Sequence, residues 1–135
     1  KAKSGKLKVE SGKNKFYEMK DYKKLIVWQK AHQNVLVVYK LTMVFPKEEQ
    51  YGITSQIRRA IVSVANNIVE GCGKYTEKDF ANYLQQALGS CQESEYLMTL
   101  SYELGYLKKD QHETINSQVG EVKAMLISLI KKIRN

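Results

Sequence analysis

Five aliphatic residues, Ile53, Ile57, Ile61, Val64 and Ile68, recur at steps of three and four. That spacing follows the 3.6-residue turn of an α-helix and fits no strand, whose faces alternate every second residue. An apolar stripe of this length needs other apolar faces to cover it. Three further segments supply them. The first, 24–44, carries Leu25, Trp28, Ala31, Val35, Val38 and Thr42 and stops at Phe45-Pro46, because the residue ahead of a proline avoids the helical region. The third opens at Thr76, whose hydroxyl is placed to cap the turn holding Asp79, and continues through Phe80, Tyr83, Leu84, Ala87, Leu88, Cys91, Leu97, Met98 and Leu104. The fourth follows "LGYLKKD", opens at Asp110 with Glu113 in support, and repeats Ile115, Val119, Val122, Leu126, Leu129 and Ile133.

Glycines mark the boundaries. Gly71 is expected to close the second helix in the left-handed conformation, and Gly105 to end the third. Ala87, Gly89 and Ser90 read as a small-residue patch that lets another helix approach closely, since a glycine inside a helix costs about 1 kcal/mol against alanine. With 135 residues and one proline, the chain is of one-domain size and all-α. Four amphipathic helices with short connections predict an antiparallel up-down-up-down four-helix bundle. One segment, "VLVVY" at 35–39, is apolar nearly all round, so a neighbouring subunit or a partner protein is expected to cover its second side.

The net charge of +8 is unevenly spread. Residues 1–24 hold nine lysines against Glu10, Glu18 and Asp21, and so carry six of those eight charges. Residues 1–18 mix lysine with glycine and serine without a sustained apolar period, and read as a flexible Lys-rich leader, native or appended, ahead of a bundle domain at 19–135. Cys72 and Cys91 lack CxxC spacing and read as reduced thiols. No signal peptide and no apolar run of membrane-spanning length is present, so a soluble cytoplasmic protein is expected.

Catalytic chemistry finds few candidates. His32 and His112 sit on different helices with no HExxH or Glu-x-x-His pattern, and read as solvated or hydrogen-bonded rings. Glu93 and Glu95 are two residues apart on a helix and point to different faces. No nucleotide-binding glycine motif occurs, and "GCGK" at 71–74 reads as a helix end and turn. No catalytic residue, metal site or cofactor is assigned, and the chain reads as a non-enzyme.

The segment "SQIRRAIVSVANNIVEG", 55–71, pairs its apolar stripe with polar residues that need an explanation. Arg58 and Arg59 are about 100° apart on the helix, so at least one flanks the stripe. Their planar forks suit a carboxylate on a neighbouring helix or subunit, and equally a phosphate; the spacing leans towards the carboxylate. Asn67 and Glu70, three apart on one face, are placed to bond each other or to tie down a loop.

Four segments, "LIVWQKAH" at 25–32, "FPKEEQYGITSQIRRA" at 45–60, "NIVEG" at 67–71 and "ALGSCQESEY" at 87–96, resemble the bacterial four-helix bundle proteins called 23S rRNA intervening-sequence proteins. The resemblance runs from Met19 to the C-terminus. It implies a ring-shaped homopentamer, which would cover the second apolar side of the first helix. It also extends to the accessory variability determinant of diversity-generating retroelements, which binds nucleic acid and a reverse transcriptase. Gln56, Arg58 and Arg59 match a Q-x-R-R motif; Asn67, Glu70 and Gly71 match N-x-x-E-G; Gly89, Ser90 and Glu93 match G-S-x-x-E. Ala65 stands where the family often has proline, so no kink is expected in the second helix, and Lys74 stands where arginine is common.

The function expected from these features is a non-enzymatic oligomeric scaffold that binds nucleic acid, with structured RNA favoured and DNA an alternative. Its contacts are expected at Arg58, Arg59, Lys74, Lys78, Lys20, Lys23 and Lys24, while Gln56, Asn67, Glu70, Gly71, Gly89, Ser90 and Glu93 serve the architecture. The alternative is a protein-interaction module that recruits a polymerase such as a reverse transcriptase. No membrane partner is expected.

Overall fold

The computed structural model describes residues 6–10 and 16–135. Four helices dominate: α1 (Ile26–Thr42), α2 (Ile53–Cys72), α3 (Glu77–Glu103) and α4 (Lys109–Arg134). Ahead of them, β1 (Lys6–Glu10) and β2 (Phe16–Lys20) pair as an antiparallel hairpin, with Leu7 opposite Met19 and Val9 opposite Tyr17. The leader reading assigned no strand here; the rest of the described chain, from residue 22 on, is helical as expected. The rest of the leader lies outside the described residues. Lys-Leu-Lys-Val-Glu alternates polar and apolar at the two-residue period of a strand, a signal too short to stand out against the lysine content.

Each helix is held to its neighbours by its apolar stripe and a few cross-links. α2 and α3 make the broadest contact, and all five residues of the α2 stripe are buried. On α3 and α4 the stripes shift at their ends. Leu104 is half exposed and Leu107 is buried instead; on α4, Ile130 is buried while Leu129 and Ile133 are only partly so. On α1, Val27 and Asn34 join Ala31, Val38 and Thr42 inside, whereas Leu25, Trp28 and Val35 pack at the margin. Asn34, 5% exposed, donates from Nδ2 to the Gln118 carbonyl of α4 at 3.3 Å, which satisfies a buried amide and sets the α1–α4 register. Ser94 and Ser101 are fully buried on α3 and donate to the Ser90 and Leu97 carbonyls, each at 2.8 Å. A hydroxyl bonded one turn back carries no unmet polar group into the core.

Across α1 and α4, the Asn34–Gln118 and Lys30–Glu121 contacts rise in one helix as they fall in the other. The two buried thiols are unpaired, and burial pushes Cys72 up to about 11 and Cys91 up to about 12.

Several boundaries differ from the sequence expectation, each for a local reason. α2 runs through Gly71 and ends at Cys72; Gly71 is buried, and a Cβ there would lie 3.0 Å from Tyr83 Cβ and 3.1 Å from Phe80 Cδ1. This glycine therefore permits close approach of α3 and does not form a left-handed cap. Gly89 is exposed with nothing within 4 Å of its would-be Cβ, so it serves no close packing in the chain. Gly105, with φ of +84°, does end α3 as expected. The Thr76 cap also forms, its Oγ1 accepting from the Asp79 amide at 3.1 Å. α4 starts one residue before Asp110, because the Gln111 carboxamide accepts from the Lys108 amide at 3.0 Å and closes the first turn.

The connection between α1 and α2 is a 3-10 turn at Lys47–Glu49. Glu49 accepts the Ile53 amide at 3.2 Å with one oxygen and the Tyr106 hydroxyl at 2.8 Å with the other. A carboxylate at a helix N-terminus meets unpaired amides and the positive end of the helix dipole. The same bond pushes the Tyr106 hydroxyl above its ordinary pKa.

Candidate nucleic-acid interface

The seven cations singled out in the sequence fall into two groups. Lys20, Lys23 and Lys24 lead into α1, and Lys74 and Lys78 flank the α2–α3 turn. These two segments meet, because Lys20 reaches Glu77 at 2.6 Å and lies over the Phe80 ring at 4.4 Å. Arg58 and Arg59 lie near the start of α2, roughly 20 Å away along the helix at about 1.5 Å per residue.

A third segment completes the lysine pole. Arg134 of α4 donates to Asn82 Oδ1 on α3 at 3.1 Å, and Lys132 shares a surface groove with Leu25. The last turn of α4 therefore adds Lys131, Lys132 and Arg134, for eight cations, against Asp21, Glu70, Glu77 and Asp79 at the same end. Among the described residues, Lys20 is the member of this group with a carboxylate within ion-pair distance. The Lys74 ammonium lies 4.9 Å over the Tyr83 ring, which holds the charge in place, and the residue is exposed. The C-terminal "KKIRN" was visible as a basic run, but its place beside residues 20–24 and 74–78 depends on tertiary packing.

At the opposite pole the arginines do not meet a carboxylate on a neighbouring helix of the same chain, one of the two pairings the sequence favoured. Neither has a carboxylate partner among the described residues. Arg58 is half-buried: Nε donates to Thr42 Oγ1 at 2.8 Å and the guanidinium lies 4.6 Å over the Tyr39 ring. Arg59 is exposed and donates to Ser55 Oγ at 3.2 Å. Of the acids nearby, Glu49 is engaged with Tyr106, and Glu93 lines a groove with Arg59 without pairing with it.

The remaining motif residues separate into two sets. Asn67 and Ser90 enter one polar contact between α2 and α3: Asn67 donates to the Ser63 carbonyl at 2.9 Å and to Ser63 Oγ at 3.0 Å, and Ser90 donates to Ser63 Oγ at 2.8 Å. Asn67 thus turns back along its own helix and does not bond Glu70, which instead accepts from Asn66 at 3.3 Å. Gln56, Glu70, Gly89 and Glu93 are exposed, and Gln56 and Glu93 line one surface groove with Arg59. Glu95 points away to Lys123 on α4 at 2.9 Å.

The other chemical candidates are absorbed by structure. His32 stacks on Trp28 and His112 on Tyr102, each with ring centroids 4.9 Å apart. The Gly73 and Lys74 amides bond the Glu70 and Gly71 carbonyls, so "GCGK" closes a helix with the amides an anion would need. Among the described residues no group of three His, Cys, Asp or Glu could hold a metal ion, and no helix is long and apolar enough to cross a membrane.

The fold and its charged pole define the class: a small four-helix protein carrying a concentrated basic surface at one end. The chain belongs to the 23S rRNA-intervening sequence protein family, whose model matches residues 23–128. A solved structure from Bacteroides thetaiotaomicron, described as a protein with unknown function from the S23 ribosomal protein family, is similar at 29% identity and a TM-score of 0.72. The match covers 78% of this chain and 99% of that one. Among curated proteins no match is found.

Proposed function

We propose that the chain is a non-enzymatic cytoplasmic scaffold whose subunits, each an antiparallel up-down-up-down bundle, assemble as a ring-shaped homopentamer and bind structured RNA. The observation that carries the reading is the gathering of eight cations from three chain segments at one pole, against four acids. Such a surface neutralises phosphates and releases their counterions, and needs no base-specific contact to bind. A ring repeats the pole around one axis, which raises the affinity of the assembly far above that of one subunit.

The test is a titration of labelled structured RNA and duplex DNA into residues 19–135 across a salt series. Affinity falling log-linearly with salt supports the reading; no binding at low salt sinks it for the bundle. A second reading, recruitment of a polymerase such as a reverse transcriptase, is favoured by exposed apolar side chains around the α1–α2 connection. Met43 is 76%, Val44 80% and Tyr51 90% exposed. Aromatic residues, Met and Arg are enriched where proteins dock.

A further inference from the structure

The arginine pole carries a feature that charge alone does not explain. A groove of about 450 Å³ lies between the end of α1 and the start of α2, lined by Tyr39, Tyr51, Thr54, Arg58 and Arg59 together with neutral residues. No acidic residue lines it. Arg58 is fixed in place by Thr42 and Tyr39, so its outer nitrogens are oriented before any ligand arrives. Thr54 is 7% exposed, and its hydroxyl is the one buried side-chain polar atom without a hydrogen-bond partner among the described residues. The Tyr51 ring stands almost fully in solvent.

We propose that this groove holds one unpaired nucleotide of an RNA strand, its phosphate on Arg58 and Arg59 and its base against Tyr51. The inference rests on the RNA-binding reading above and adds a contact that a duplex cannot make. In an A-form helix the bases are stacked inside and the backbone is what a protein meets; an unpaired base is free to lie on an aromatic ring. Guanidinium forks accept a carboxylate as readily as a phosphate. The open ring beside them favours the nucleotide, because every base has a face to stack. The Thr54 hydroxyl lies sealed beneath the groove, and a small shift of the side chains over it would let a phosphate oxygen supply the acceptor it lacks.

Fluorescence anisotropy on the full chain, with an unstructured single-stranded RNA and a blunt RNA duplex of matched length, tests this. Tyr51→Ala is expected to weaken single-strand binding roughly five- to hundredfold, the usual worth of one stacked base, and to leave duplex binding unchanged. Tyr51→Phe, which keeps the ring, is expected to bind as the parent does. Retained single-strand affinity in Tyr51→Ala, with duplex binding intact, overturns the groove and spares the basic pole. Absence of binding by the parent chain to either RNA overturns both readings. A smaller assembly mass for Tyr51→Ala in light scattering assigns the groove to a protein contact and overturns the nucleotide.

Discussion

The Thr42 hydroxyl bonds in two directions at once: it donates to the Val38 carbonyl at 2.8 Å and accepts from Arg58 Nε at 2.8 Å. A buried residue of α1 thereby aims a partly exposed cation of α2. Thr42→Val keeps the shape and removes the acceptor. It is expected to lower unfolding free energy by about 1–2 kcal/mol, read by urea denaturation, because a hydrogen bond to a charged group is lost from a site that is only partly open to water.

The two glycines at 71 and 89 should respond to alanine with opposite signs. At Gly71 the new methyl would press on Phe80 and Tyr83, and overpacking of this kind costs about 1–3 kcal/mol. At Gly89 nothing lies within 4 Å, so Gly89→Ala should stabilise by ~0.5–1 kcal/mol through helix propensity. Thermal unfolding of the two variants side by side checks both signs.

That contrast also marks how far the sequence could be read. The α2 stripe was legible because all its members are aliphatic and periodic, and all are buried. Asn34, Ser94 and Ser101 were not, since polar letters hide their burial and only the carbonyl each bonds explains it. Gly71 looked like a cap because it stands at the end of a stripe; its real constraint comes from Tyr83 and Phe80 on the next helix. The seven cations were identifiable as residues, but their division into two poles was not. Nor was the contribution of Lys131, Lys132 and Arg134, because proximity between residue 20 and residue 134 is a property of packing.

Neither thiol should react in the native chain near neutral pH. Burial holds Cys72 and Cys91 neutral, with values of about 11 and about 12. A thiol reagent at pH 8 is expected to label the protein only as urea unfolds it. The linkage has a definite sign: a thiol raised above its unfolded value contributes its full stability below about pH 9, and that contribution is lost as pH rises towards 11–12.

Charge removal at the C-terminal turn should act on nucleic acid without touching the fold. Lys131 and Lys132 are exposed, so Lys131→Ala with Lys132→Ala is expected to leave the circular dichroism unchanged. If both meet phosphates, the slope of log affinity against log salt should fall by about 0.7–0.9 for each. An unchanged slope would place the RNA elsewhere on the surface.

Glu49 joins two connections that are far apart in the chain. One oxygen holds the start of α2 and the other holds Tyr106, in the link from α3 to α4. The Phe45 ring, 5.4 Å from that of Tyr106, fastens the same two connections a second time, so a change in either loop is transmitted to the other through one carboxylate and one ring.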